Sequence, residues 1–264
     1  MSMAINSVNR TPNMFPANNT QNNRPAERLA SGRRINSAAD DAAGLAISEG
    51  LQAIIRGLNQ GTDNSRDMQN LLRTAEGGMD TVSDSLVRIR ELSVQAGNGI
   101  FTQQDRAVLQ NEVDQLLSQI DRTASSAQFN NRNLLDGTAQ DLHTASYADG
   151  GGMSVSISSF STASLGVAGF NLTGNFDLSI LDNAISQVNE ARSIVGASTN
   201  RLDYTINTTQ ITSENLSAAN SRIADADMAR ESINFNINRV LEQYRIFSAR
   251  SHMARQGNLV NLLL

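Results

Sequence analysis

Residues that could carry chemistry are few and scattered in this 264-residue chain. His143 and His252 are the only histidines and belong to no His-Glu-x-x-His motif, so a zinc protease is not expected. Cysteine is absent, which excludes disulfides and thiolate metal ligands. The glycines between Thr144 and Gly152 lack a P-loop lysine, and the chain has no lysine at all. The sequence therefore predicts no enzyme, cofactor site or metal site.

Asp40 and Asp41 are adjacent carboxylates that could suggest an acid–base pair. Neighbouring residues on a helix point about 100° apart, which does not suit two groups acting on one atom. We expect them instead to place favourable charge near a helix N-terminus, with Ser37 as the capping residue.

The element with the strongest pattern is a heptad repeat from Leu181 to Ala226. One row of positions seven apart is mostly large and apolar, and the parallel row is mostly small. The large row, which we predict to be the packing seam, is Leu181, Val188, Val195, Leu202, Thr209, Leu216 and Ile223. Seven-residue spacing keeps one stripe facing a partner helix along a long rod.

Composition limits the classes of partner. The net charge is −5 and no basic stripe is visible, so nucleic acid is not an expected partner. No apolar run approaches the roughly 20 residues of a membrane span, and the first ten residues lack the apolar core of a cleaved signal peptide. Aromatic residues make up 4% of the chain, too few for the anchors of a compact core.

The first half of the chain is predicted to contain an irregular N-terminal segment followed by two helices, whose ends are marked by residues that stop or cap helices. Prolines 12, 16 and 25 predict that residues 1–26 are extended or disordered. A helix is predicted from Ala42 to about Val94, with a weakly packed polar interruption at Gly61–Arg66. Gly97-Asn98-Gly99 should end it. Thr102 and Asp105 resemble a capping box that opens a second helix.

The sequence pattern of residues 129–178 is typical of turns and short strands instead of helices. Met153 to Ser158 alternate with period two after three glycines, which predicts one or two β-hairpins. The predicted fold is mainly α: a long antiparallel helical rod resembling a coiled coil, a small β-hairpin cap, and terminal segments that are helical or disordered.

Three parts are predicted in all. Residues 1–40 form the N-terminal part of a terminal domain, 41–226 form the rod, and 227–264 form the C-terminal helix of the terminal domain. The residues expected to pack that terminal domain are Ile233, Ile237, Val240, Leu262 and Leu263.

Five separated segments resemble bacterial flagellin, in the order in which that family carries them. They are ERLASGRRINSAADDAAGLAI at 27–47, VRIRELSVQ at 87–95, QFNNRNLLDG at 128–137, GASTNRLD at 196–203 and SRIADADMA at 221–229. The resemblance covers roughly residues 27–240 and implies a short form that lacks the variable outer domains. It implies a terminal helical domain at the filament core and a helical rod capped by hairpins.

The resemblance also implies a function. The chain would be the subunit of a helical homopolymer, the flagellar filament, exported unfolded by the flagellar type III system without signal cleavage. Its implied partners are other copies, an export chaperone, and hook-associated and cap proteins, but neither nucleic acid nor a membrane. Two alternatives stay open: a hook–filament junction protein, and a secreted non-polymerising relative that acts as a ligand or adhesin.

By the same resemblance, one surface cluster has a further role. Arg88, Leu92 and Glu112 fall where flagellins contact one another and where Toll-like receptor 5 binds the monomer. The alternative is that Asp84 and Arg88 form an ordinary i,i+4 helix pair worth about 0.3–0.5 kcal/mol, with Glu112 simply solvated.

Overall fold

A computed structural model describes the backbone from residue 19 to 262 and the side chains from 24 to 251. Pro12, Pro16 and Leu263 lie outside the described residues, and so do the side chains of His252 and Leu262. The helices are α1 (Asn19–Ser31), α2 (Ala42–Ala96), α3 (Gln103–Ser126), α4 (Leu178–Ala224) and α5 (Met228–Leu262). The strands are β1 (Gln128–Phe129), β2 (Arg132–Asn133), β3 (Leu142–Ala145) and β4 (Gly152–Val155). The predicted mainly α fold with a small hairpin region is confirmed.

The chain divides into two compact units. The central unit is Ala53–Asn215, and the terminal unit takes residues up to 52 together with those from 216 onward. The predicted boundaries at residues 40 and 226 lie in the connections just before α2 and between α4 and α5, whereas the units divide within α2 and α4.

In the central unit α2 and α4 run antiparallel. Side chains pair across them at three levels: Gln69 Nε2 with Asp203 Oδ1 at 2.6 Å, Asp80 with Arg192 at 2.9 Å, and Arg90 with Asp182 at 2.6 Å. Each advance along α2 is matched by an equal retreat along α4, as antiparallel helices require.

The predicted α4 row faces the core of this chain. Leu181, Val188, Val195 and Leu202 are at most 2% exposed, and Thr209 is also buried. The four apolar members of the row share one core with a matching row on α2, which consists of Leu72, Ala75, Met79, Val82, Leu86 and Ile89. In the terminal unit Leu216 and Ile223 are half-buried.

The helix boundaries follow the predicted signals. Helix α2 ends at Ala96, directly before Gly97. Thr102 is the N-cap of α3: its hydroxyl accepts a hydrogen bond from the Asp105 N–H, and the Asp105 carboxylate accepts one from the Thr102 N–H. The predicted capping box is therefore confirmed. The Thr102 hydroxyl also donates a hydrogen bond of 2.8 Å to the Asp105 carboxylate, and this bond, followed by the one from the Thr102 N–H, holds the pKa of Asp105 below its usual value.

The expected weak packing at Gly61–Arg66 is wrong. Thr62 and Ser65 are buried, and the Thr62 hydroxyl lies 3.1 Å from that of Thr209 on α4. The Ser65 hydroxyl lies 2.9 Å from that of Ser146, which follows strand β3. Small polar side chains let the backbones approach closely and satisfy one another, so the absence of large apolar residues does not mean a loose interface.

Substituting Gly61 tests this close approach. A Cβ atom placed there would lie 2.2 Å from the Ser146 carbonyl oxygen, a rigid backbone atom. We expect Gly61→Ala to cost more than 1 kcal/mol in the free energy of unfolding, as overpacking of a tight core does. Urea unfolding measures it. Gly77→Ala is the matched control, because a Cβ there meets nothing within 4 Å and should stabilise the helix.

Both hairpins belong to the central unit. In the first, β1 pairs with β2 around Asn130 and Asn131, whose positive φ angles suit a tight hairpin turn. In the second, β3 pairs antiparallel with β4, so the prediction of one or two hairpins is confirmed. Strand β4 ends at Val155, but the inward–outward alternation continues with Ile157 buried.

Within the terminal unit, the prediction of an extended or disordered chain is wrong for residues 19–26. These residues are helical, with Pro25 inside α1 and buried. An interior proline costs about 3 kcal/mol. Packing of α1 on α5 offsets this cost, and it includes an ion pair of 3.3 Å between Arg28 and the nearly buried Glu231.

Asp40 and Asp41 take separate local roles, as expected. Asp41 rather than Ser37 caps α2, since its Oδ1 accepts a hydrogen bond of 2.8 Å from the Gly44 N–H. Asp40 accepts hydrogen bonds from the backbone N–H groups of Asn36 and Ser37. The Asn36 bond is the main cause of the lowered pKa of Asp40.

Candidate self-assembly surfaces

Helix α5 carries an apolar stripe that no described part of the chain covers. Its large residues recur at alternating intervals of four and three, and each is at least half exposed. They are Ile233, Ile237, Val240, Tyr244 and Phe247, with exposures between 51% and 70%.

Helix α1 occupies a different face of α5. Glu231 is buried and Phe235 half-buried, each two residues from a stripe member and so about 200° away around the helix. Ile233, Ile237 and Val240 therefore do not pack against α1. If these residues pack the terminal domain, as the sequence predicts, they do not do so through α1 of the same chain. An α-helix with an uncovered heptad stripe is a surface for another helix.

The cluster around Arg88 is only partly a surface. The Arg88 guanidinium lies 2.9 Å from Glu112 on α3 and 3.1 Å from Glu91. The hydrogen bond to Glu112 is the main cause of a raised Arg88 pKa. The alternative pairing of Arg88 with Asp84 is thus replaced by a pairing between two helices.

Leu92 differs from its neighbours in the cluster. Its side chain is 1% exposed and lies in the core, so its assignment to a contact surface is wrong in this chain. Residues 87–95 lie on a helix, where only the outward positions can touch a partner. Arg88 and Glu112 are such positions, and Leu92 is not.

No helix in the described part of the chain is long and apolar enough to cross a membrane. Among the same residues, no three histidine or carboxylate side chains are grouped as metal ligands would be.

Comparison with protein families shows which family the chain belongs to. Residues 5–140 match the model of the bacterial flagellin N-terminal helical region, and residues 178–263 match that of the C-terminal helical region. The chain belongs to the bacterial flagellin family. Flagellin is a structural protein, so the expectation that the chain is not an enzyme is confirmed. It is a structural subunit of the flagellar filament, an extracellular appendage used for motility.

Individual relatives agree with the family models. The chain is 42% identical over 238 residues to the flagellar filament 33 kDa core protein of Treponema phagedenis, covering 82% of this chain and 83% of that protein. It is 41% identical over 236 residues to a flagellin of Halalkalibacterium halodurans, covering 86% of each.

A solved structure of a flagellar hook-associated protein from Vibrio parahaemolyticus shares the fold. Its TM-score is 0.56 at 18% identity, over 70% of this chain and all of that one. Identity this low shows a common fold and nothing about a common role.

The sequence predicts the apolar stripe on α5, but it does not show whether another part of the chain covers that stripe. Ile233, Ile237 and Val240 could be singled out by their spacing, and the same spacing continues to Tyr244 and Phe247. Spacing identifies an apolar helix face that is expected to pack against another element. It does not say whether the partner is in the same chain, which depends on where α1 packs.

Proposed function

We propose that copies of this chain assemble into the filament through helix faces that a single copy leaves exposed, foremost the α5 stripe. The observation that supports this most is five large apolar side chains in a heptad pattern, each at least half exposed and covered by no described part of the chain. Burying a side chain of that size gains about 1.5–3 kcal/mol. Repetition of one contact by a helical operation that does not close gives a filament.

The buried heptad row on α4 has a different part in this proposal. Leu181 to Leu202 hold the central unit together inside each copy and are not available to neighbours. The folded central unit then brings its outward faces to the neighbouring copies as a rigid body. In this proposal, the buried residues stabilise each subunit, and the exposed residues form the contacts between subunits.

Electron microscopy of the purified chain at increasing concentration tests the proposal. Filaments of the chain alone are the expected result. Monomers that persist at high concentration would contradict it and favour a soluble ligand or adhesin. Short assemblies that form only on the end of a hook would favour the hook–filament junction role.

Export belongs to the same proposal. We infer that the chain leaves the cell unfolded through the flagellar type III system, with a chaperone on its C-terminal segment and with hook-associated and cap proteins guiding insertion. The uncovered α5 stripe is a surface that a chaperone could shield before export. Secretion assays in strains that lack either the export apparatus or the chaperone test this, and unchanged secretion would refute it.

Recognition of the monomer by Toll-like receptor 5 is a further element of the proposal. Arg88 and Glu112 support it, since they form a charged pair at the surface, with side chains about half exposed, that joins α2 to α3. Leu92 is not included, because it is buried. Binding of monomers to the receptor ectodomain should weaken in Arg88→Glu, and unchanged binding would remove these residues from the site.

A further inference from the structure

The connection between α2 and α3 contains Asn98-Gly99, the only asparagine–glycine dipeptide in the sequence. Helix α2 ends at Ala96, so both residues lie outside the helices, and both are exposed. An asparagine followed by glycine places two reactive groups next to each other. The backbone nitrogen of the glycine can attack the side-chain amide carbon of the asparagine, unless a helix or a hydrogen bond holds the two apart.

The Gly99 nitrogen is available for this attack. Among the described residues its N–H donates no hydrogen bond, whereas the neighbouring N–H groups of Asn98 and Ile100 both do. A β-carbon on the attacking residue would crowd the approach to the amide carbon, and glycine has none. The nucleophile is therefore accessible and unhindered.

The Asn98 side chain is held in a position that assists the reaction. Its Oδ1 accepts a hydrogen bond of 3.3 Å from the Ile100 N–H. Attack on the amide carbon places negative charge on this oxygen, and a backbone N–H aimed at such an oxygen stabilises the charge. The Ile100 N–H is therefore placed to act at Asn98 as an oxyanion-hole donor acts in an enzyme.

Two aspartate–glycine dipeptides could undergo the same cyclisation, but the fold protects both. At Asp136-Gly137, hydrogen bonds, above all from the Thr138 hydroxyl, lower the pKa of the Asp136 carboxyl, and an ionised carboxylate is a poor target for a nitrogen nucleophile. At Asp149-Gly150, the Gly150 N–H donates a hydrogen bond of 3.1 Å to the Tyr147 carbonyl oxygen, so the attacking nitrogen is engaged. Neither kind of protection acts on the connection between α2 and α3.

We propose that Asn98 is a modification site, at which the folded chain converts the asparagine to aspartate and isoaspartate. The Gly99 nitrogen bonds to Asn98 Cγ, the Cγ–Nδ2 bond breaks, and the amide group leaves as ammonia with the proton of the Gly99 nitrogen. The resulting cyclic imide takes up one water molecule, which opens either of its carbonyls. Opening at the main-chain carbonyl leaves the chain linked through Cγ, which is isoaspartate.

The modification changes the connection in charge and in length. It places a carboxylate at the C-terminal end of α2, where the helix dipole is already negative. Isoaspartate also adds one carbon atom to the main chain and displaces the Asn98 carbonyl, which accepts a hydrogen bond of 3.2 Å from the Phe101 N–H. Phe101 directly precedes the Thr102 cap of α3, so we expect the melting temperature of the modified chain to fall.

The location of the chain makes the modification cumulative. A subunit of an extracellular filament is out of reach of synthesis and degradation inside the cell. The reaction consumes only water and needs no enzyme, so the modified fraction should rise with the age of the filament. The chemistry itself does not depend on assembly and is tested on the folded monomer.

Peptide mass spectrometry of the folded chain, incubated for increasing times, tests the site. Trypsin releases residues 91–106 as one peptide, in which Asn98 is the only asparagine. Isoaspartate should accumulate there, and faster at higher pH, because the attacking nitrogen must lose its proton. A methyltransferase specific for isoaspartate distinguishes it from aspartate, which has the same mass. The tryptic peptide 123–132, whose asparagines are not followed by glycine, is the internal control and should stay largely unmodified.

Gly99→Ala is the matched variant, because a Cβ at Gly99 meets nothing within 4 Å and the fold should be unchanged. It should slow the conversion about tenfold or more, which corresponds to about 1.4 kcal/mol of added barrier. The chain unfolded in guanidinium chloride gives the rate without the fold. Much slower conversion in the folded chain would overturn the inference, because the fold would then protect Asn98, and so would equal rates for Gly99→Ala and the unmodified chain.

Filaments of different age test the cumulative part of the inference. The isoaspartate fraction at Asn98 should be higher in filaments from aged cultures than in filaments freshly regrown after shearing. Equal fractions would overturn the link to age. Failure of the purified chain to polymerise would count against the proposed function and leave the chemistry at Asn98 unaffected.

Discussion

Replacing Leu202 by proline is expected to unfold the central unit and abolish filament formation. Leu202 lies inside the 47-residue helix α4, is 1% exposed and contributes to the apolar core. Proline removes a backbone donor and clashes with the preceding turn, at a cost of about 3 kcal/mol or more. Loss of the buried leucine side chain adds about 2–5 kcal/mol. The sum is comparable to the whole stability of an ordinary domain, about 5–15 kcal/mol.

Thermal unfolding followed by circular dichroism, with electron microscopy of the same samples, checks this expectation. Leu202→Ala separates the two causes, because it removes the side chain and leaves the helix intact. It should lower the melting temperature and still permit filaments at low temperature. Asn207→Ala, on an exposed position of the same helix, should stay within about 0.5 kcal/mol of the unmodified chain. Normal filaments from Leu202→Pro would contradict the buried register of α4.

How far the sequence predicts this structure depends on the kind of interaction. Local signals were sufficient where the cause is local: Gly97 ends α2, and Thr102 with Asp105 begins α3. The heptad row was predictable because a repeat of seven on a helix defines one face whatever lies opposite. These features need no knowledge of the rest of the fold.

Apart from the cap of α2, which is Asp41 and not Ser37, the predictions that failed are those that a distant segment decides. The polar side chains of Thr62 and Ser65 predict weak packing, but Thr209 and the turn at Ser146 pack against them. Pro25 argued against a helix, but packing on α5 offsets its cost. Leu92 was assigned to the contact surface because it lies in a segment that resembles flagellin. The resemblance fixes the position of Leu92 in the sequence but not the direction in which its side chain points. Tertiary contacts override local preference at each of these positions.

The strongest effect on assembly without an effect on folding is expected from the α5 stripe. Ile237 is 51% exposed in the single chain, so Ile237→Glu places a charge in water and should leave the monomer folded. In a filament that buries the stripe, the same charge loses its hydration, at a cost of several kcal/mol. Each 1.4 kcal/mol corresponds to a factor of ten, so the critical concentration should rise by a factor on the order of 100 or more.

Ser232→Glu is the matched control, because it adds the same charge at an exposed position of α5 about 140° around the helix from Ile237. Sedimentation of polymer at a series of concentrations gives the critical concentration for both variants, and circular dichroism compares the monomers. If the two variants polymerise equally well, the stripe is not a subunit contact, and its hydrophobic side chains must be covered by something other than another copy. If only Ile237→Glu fails while its monomer is folded, the free energy of assembly comes largely from burying this face. Folding and polymerisation would then depend on different residues of the chain, Leu202 for the first and Ile237 for the second.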